Sequence, residues 1–155
     1  MFHKAVDLKF EEGTALTLLF QDGAVKRYDM SRLFSKYPQL EALKDRELFL
    51  TGKLMSPYGI IWNDDLDIET ETIYEEGETV MEQAPVYSEA GQSVLAARAA
   101  AGLSQKQLSA LTGIDQSDIS KIERGVANPS MLTLYRIAAA LGGKLRVQIE
   151  VPNAS

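Results

Sequence analysis

The stretch LSQKQLSALTGIDQSDISKIERG, residues 103–125, decides how this chain is read. Ser104 stands where the N-cap of a helix would, because its hydroxyl can accept from a backbone N–H of the first turn. Leu108 and Leu111, three apart, give that helix an apolar side. Gly113 breaks it, since glycine takes the left-handed backbone conformation without a steric penalty. Asp115 is placed to cap a second helix, in which Ile119 and Ile122 are again three apart. The spacing predicts a short helix, a turn holding glycine, and another short helix.

Working outward, helical character begins at Ser88. Alanine is dense from Ala96 to Ala101, and Leu, Ile and Ala recur at helical spacing as far as Leu141. Gly142-Gly143 stops the last helix. Leu145, Val147, Ile149 and Val151 then alternate with Arg146, Gln148 and Glu150, the period of a strand.

Upstream the pattern is different. Val6, Leu8 and Phe10 alternate with polar residues, Ala15 to Phe20 is a second apolar run, and Asp22-Gly23 is a hairpin signal leading into a returning strand from Val25 to Met30. Ser31 to Lys44 is helical in character, with Leu33, Phe34, Leu40 and Leu43 on a shared face and Pro38 dividing two short pieces. Leu48 to Leu54 and Gly59 to Trp62 read as two further strands joined through Ser56-Pro57-Tyr58-Gly59, and Ile68 to Tyr74 as one short helical turn. Glu75 to Pro85 is polar and acidic and reads as a connection. The expected domains are residues 1–82, a small α+β domain, and residues 88–155, with 83–87 as the linker.

Charge divides the chain at the same place. The net charge of -6 over 155 residues conceals nine bases against seventeen acids up to Val86, a balance of -8, and seven bases against five acids after it, a balance of +2. That asymmetry points to two modules with different partners. No apolar run is long enough for a membrane span, and the first ten residues lack the basic start and apolar block of a signal peptide. Cysteine is absent and His3 is the one histidine, which argues against thiolate or His-based metal sites and against cysteine or Ser–His nucleophiles. His3 reads as a solvated residue at the start of a strand. No cofactor, metal or enzymatic activity is expected, and the expected location is cytoplasmic.

The two-helix segment resembles the helix-turn-helix domain of the phage repressor and Cro family, also called the xenobiotic-response-element family. The residues carrying the resemblance are L-S-Q-K-Q-L, T-G-I, D-I-S-K-I-E-R-G, N-P-S and I-A-A-A-L-G between Leu103 and Gly142, with Arg98 in the preceding helix. The resemblance implies an all-α lambda-repressor-like helix-turn-helix domain, here followed by a C-terminal β-strand. It implies that residues 115–124 form a recognition helix in the major groove. Gln116, Ser117 and Lys121 would face base edges, Gln suiting adenine and Lys the guanine acceptors. Ser104, Gln105, Lys106 and Arg124 would contact phosphates. Arg98 and Glu123 match a pair that forms an internal salt bridge in that family. The helix before the motif is nearly uncharged, and Val126-Ala127 after it is apolar, so attraction to phosphate is modest and a homodimer is the expected DNA-binding form. The strand after the last helix would pair either across a two-fold axis or with the N-terminal sheet; the sequence leaves both open.

Phe20 to Tyr74 resembles, more loosely, a small bacterial domain family of unknown function. The residues are F-Q-D-G, the region from Leu33 to Leu43, G-I-I-W-N-D-D-L-D-I and Thr72-Ile73-Tyr74. Trp62 beside Ile60 and Ile61 reads as core. Asp65, Asp67, Glu69 and Glu76 have some of the spacing of a calcium loop, but Thr70 stands where its sharp turn needs glycine, so a solvated acidic face is expected. The function expected is a sequence-specific transcriptional regulator binding double-stranded DNA at a palindromic operator, with the N-terminal domain taking a protein partner or effector. The alternatives are an antitoxin whose acidic domain covers a basic toxin, and an interaction module that does not bind DNA.

Overall fold

A computed structural model describes residues 2–152, and the chain divides at the Val86–Tyr87 bond into two compact units. The first unit opens with three antiparallel strands, β1 (Ala5–Phe10), β2 (Ala15–Phe20) and β3 (Ala24–Asp29). Leu18 of β2 stands opposite Leu8 of β1 and Lys26 of β3. Side chains alternate along a strand, so Leu16, Leu18 and Phe20 share one face, and all three are fully buried. The expected alternation of Val6, Leu8 and Phe10 holds for the last two alone. An irregularity between Ala5 and Asp7 shifts the register, buries Ala5 and leaves Val6 outside.

Residues 30–44 form two 3-10 pieces, Met30–Leu33 and Pro38–Lys44, that bury Met30, Leu33, Leu40 and Leu43 against the sheet. The strand expected over Leu48 to Leu54 is replaced by a helical turn, α1 (Arg46–Phe49), and a shorter strand, β4 (Lys53–Ser56). The cause is local: the Asp45 carboxylate accepts from the Glu47 amide and caps the turn, and Phe49 is fully buried. β4 pairs with β5 (Gly59–Asn63), and β5 with β6 (Leu66–Glu69), in a second antiparallel sheet. Trp62 on β5 is buried, stacks near Phe49 and donates its indole N–H to the Phe49 carbonyl at 2.8 Å. A Cβ on Gly52 would collide with that indole, which places a glycine there.

Ile68 belongs to β6, so the expected helical turn begins later, as α2 (Thr70–Glu76). β7 (Glu78–Glu82) then pairs antiparallel with β3 and completes the sheet order β1-β2-β3-β7. Part of the stretch read as a connection is thus an edge strand. All five of its side chains are exposed, so it carries no apolar period to betray it. The residues expected as linker are also tied in: the Gln83 amide donates to Gly23 and the Val86 amide to Gln21, within the first unit. His3 is packed rather than solvated. Its ring stacks on Tyr74 at 3.5 Å, and its Nδ1 and backbone N–H both meet the Glu71 carboxylate.

The second unit holds α3 (Ser88–Ala100), α4 (Gln105–Thr112), α5 (Gln116–Glu123) and α6 (Met131–Ala140). Its core is Val94, Leu108, Ile119, Ile122 and Ile137. Leu111 is 60% exposed, against expectation, because the buried side of α4 runs through Leu108 and Thr112 at i, i+4. The strand expected over 145–151 is not formed: among the described residues those positions pair with no strand, and Val147, Ile149 and Val151 face solvent. A strand exists only as part of a ladder, and none of the described residues forms one with this segment. Among the described residues no helix is long and apolar enough to cross a membrane.

Candidate nucleic-acid interface

The first helix of the pair is set by a capping box. The Ser104 hydroxyl accepts from the Gln107 amide at 3.0 Å, and the Gln107 side-chain oxygen accepts from the Ser104 amide at 2.8 Å. At its other end Gly113 takes φ of +75°, the left-handed conformation that lets the chain turn at once. The turn is then tied down by side chains. Thr112 Oγ1 accepts from the Ile114 amide, the Ser109 hydroxyl donates to the Ile114 carbonyl, and the Arg136 guanidinium on α6 donates to the Thr112 carbonyl. These bonds hold α5 at a fixed angle to α4.

Asp115 occupies the N-cap position of α5 but makes no side-chain cap bond. Ile119, Ile122 and Glu123 form the buried side of α5. At 100° per residue the opposite side carries Ser117, Lys121 and Arg124, with Gln116 in the first turn, and all four are exposed. Asp118 lies on the flank of this surface and Ser120 on the opposite shoulder. Lys106 is exposed at the start of α4, beside the capping Ser104.

The buried end of α5 is held by charge. Arg98 Nε and Nη2 donate to the two oxygens of Glu123 at 2.7 and 2.9 Å, a bidentate pair, and Arg98 Nη1 donates to the Leu103 carbonyl at 2.7 Å. Gln105 Nε2 adds a bond to Glu123 Oε1 at 3.1 Å. The Arg98 guanidinium, with help from Gln105, holds the Glu123 carboxyl below the usual carboxylate range, and the Glu123 bond raises Arg98 in turn. The side-chain amide of Gln105, expected at a phosphate, is thus engaged inside the protein, and the Ser104 hydroxyl accepts a capping bond.

Two residues that hold this surface, Gly91 and Arg136, escaped the sequence reading, and Thr112 entered it only within T-G-I, without its role. Gly91 of α3 is buried, and a Cβ there would meet the Ile122 and Glu123 carbonyls at 2.3 and 2.8 Å, so α3 can lie against the end of α5 only with glycine. An isolated glycine inside a helical pattern was the available signal. Arg136 acts through a backbone carbonyl of the turn and leaves no pattern in sequence.

Residues 94–148 match a family model described as helix-turn-helix. That match lies within the second unit and spans its four helices from Val94 on. Residues 5–79 match a model described as protein of unknown function (DUF2442), which covers most of the first unit. The chain is 41% identical over 64 residues to an uncharacterized HTH-type transcriptional regulator of Haemophilus influenzae, covering 41% of this chain and 65% of that protein. It is 46% identical over 41 residues to the uncharacterized HTH-type transcriptional regulator y4dJ of Sinorhizobium fredii, covering 26% of this chain and 53% of the relative. The chain therefore spans less than two thirds of these relatives. Among solved structures, the restriction-modification controller protein C.AhdI from Aeromonas hydrophila is similar, at 36% identity, 37% coverage of this chain, 88% of that one and a TM-score of 0.37.

Proposed function

We propose that this chain is a sequence-specific DNA-binding transcriptional regulator that lays α5 in the major groove and acts as a homodimer on a palindromic operator. The observation that carries the reading is the outward side of α5, where Gln116, Ser117, Lys121 and Arg124 stand exposed on a helix anchored from behind by Ile119, Ile122 and Glu123. A groove-reading helix needs both properties: polar side chains long enough to reach base edges, and a rigid backing that keeps them in register. Gln116 and Lys121 read bases, Ser117 lies between them, and Lys106 and Arg124 contact phosphate. Ser104 and Gln105 support this surface from α4, Gln105 through Glu123 and Ser104 through its cap, and phosphate contacts from them are secondary.

The homodimer is supported by α6, which is apolar on both sides. Ile137 faces the core, while Met131, Leu132 and Tyr135 are more than half exposed. An exposed apolar group on the outer side of a helix is a surface that a second copy can cover. The segment 145–151 forms its strand when a second chain provides the partner. The DUF2442 unit, with its charge of -8, is the site for a protein partner or effector. Selection of random duplex DNA by the intact protein at moderate salt tests the reading. An enriched palindrome supports it; no enrichment by folded, dimeric protein overturns it.

A further inference from the structure

The segment beyond α6 carries a design that the single chain leaves unused. Gly142 takes φ of +72° and the Gly143 amide donates to the Ala138 carbonyl at 2.9 Å, so the chain leaves α6 within two residues. Past that point Val147, Ile149 and Val151 are 63%, 87% and 80% exposed. They alternate with Arg146, Gln148 and Glu150, so in a strand all the apolar side chains would share one face. Isolated apolar residues on a surface are ordinary, but three at strand period are not, and α6 carries a second exposed apolar group in Met131, Leu132 and Tyr135.

We propose that residues 145–151 of two copies pair antiparallel about a two-fold axis through Gln148. The resulting two-stranded ribbon lays its apolar face over the outer sides of the two α6 helices. The proposal rests on the homodimer reading above and supplies its geometry. Two features of the segment select this register. Directly opposed residues in an antiparallel pair lie on the same face, so an axis between two residues would set each apolar side chain against a polar one. Of the axes that pass through a residue, the one at Gln148 pairs all seven positions. It sets Leu145 against the partner's Val151, Val147 against the partner's Ile149, and Arg146 against the partner's Glu150. The charge pair occurs twice, once on each side of the axis. An axis at Val147 would need Gly143 in the ladder, and the Gly143 amide is already committed to α6. An axis at Ile149 would bring Pro152, which has no N–H to give, opposite Arg146. A bare two-stranded ribbon is marginal in water, so the apolar face requires a cover, and Met131, Leu132 and Tyr135 offer one.

Sedimentation equilibrium of the full chain without DNA, at low salt, tests this. The comparison is with a chain ending at Lys144 and with R146E, E150R and R146E/E150R. The parent is expected to be a dimer and the shortened chain a monomer at the same concentration, with unchanged helical circular dichroism. Each single reversal sets like charges together twice and should weaken the dimer about tenfold, while the double reversal restores it. A shortened chain that dimerises like the parent overturns the ribbon and leaves the homodimer reading intact. Equal dimerisation by the single and double reversals overturns the register. A parent that is monomeric throughout overturns the ribbon and the homodimer together, and the DNA selection above then decides the DNA-binding reading separately.

Discussion

Arg98 and Glu123, twenty-five residues apart, meet through two parallel bonds that join the last turn of α3 to the last turn of α5. Glu123 is nearly inaccessible, so the pair is a buried one, with Arg98 also tied to the Leu103 carbonyl. Removing one partner of such a pair strands the other charge. Arg98→Ala is expected to cost about 3–5 kcal/mol and to lower the helical melting transition by circular dichroism. A melt unchanged from the parent would show that the pair carries no stability.

The same carboxylate sets an acid limit. Its pKa is depressed in the folded state, so the unfolded chain binds the proton more readily. The stabilisation is therefore present above the unfolded value of about 4.3 and is lost as pH falls through the lower folded one. Urea titrations of the parent between pH 7 and pH 3 should show stability falling below about pH 4.5, and Glu123→Gln, which cannot titrate, should reduce that fall.

Alkaline pH acts on the other unit. Burial, reinforced by a bond to Glu76, pushes the Tyr28 hydroxyl up to about 12, and burial with a bond to Asp22 does the same for Tyr74. Raised values mean that stability is complete below pH ~10, where unfolded tyrosine titrates, and falls as pH rises towards the folded values. Tyrosinate absorbance should show two late-titrating tyrosines, and Tyr28→Phe should remove one of them.

Gly91→Ala opposes two effects. Alanine gains about 0.5–1 kcal/mol of helix propensity over glycine in a helix interior. The new Cβ would, however, lie 2.3 Å from the Ile122 carbonyl oxygen, and backbone cannot yield as a side-chain tip can. The clash wins: the melting temperature should fall. A rise would mean that α3 shifts away without loss.

For the DNA-binding reading, Gln116→Ala should cost about 1–3 kcal/mol at the selected operator and relax preference at one base position. Lys106→Ala should weaken all duplexes alike and flatten the salt dependence. Neutralising ~6 phosphates per dimer gives the parent a slope of about -5 in log affinity against log salt. Titrations over a salt series separate the two variants, and parental behaviour by both would remove α5 from the groove.

Much of this was legible in the residues. Leu16, Leu18 and Phe20 announce a buried strand face, and Ser104, Gly113 and the Ile119–Ile122 spacing announce the two helices, because each acts through local geometry. What escaped acts otherwise. β7 buries nothing and is held by backbone bonds to β3, so its acidic residues resemble a connection. The helical turn at Arg46–Phe49 depends on the Asp45 cap and on the place of Phe49 in the core, which outweigh an apolar run that reads as strand. The bulge near Val6 comes from pairing with β2. The bond from Gln105 to Glu123, eighteen positions on, follows from no spacing in the sequence.

The indole buried at position 62 is the one tryptophan of the chain, and it lies in the first unit, while the second unit has tyrosines alone. Excited at its red edge, the intact protein therefore emits from one unit only. Far-ultraviolet ellipticity, by contrast, is dominated by α3 to α6 of the other unit. Unfolding of the two parts is spectroscopically separable in the uncut molecule, without a label or a truncation, and a ligand that binds one part and stabilises the other would announce itself as a shift in the signal it does not touch.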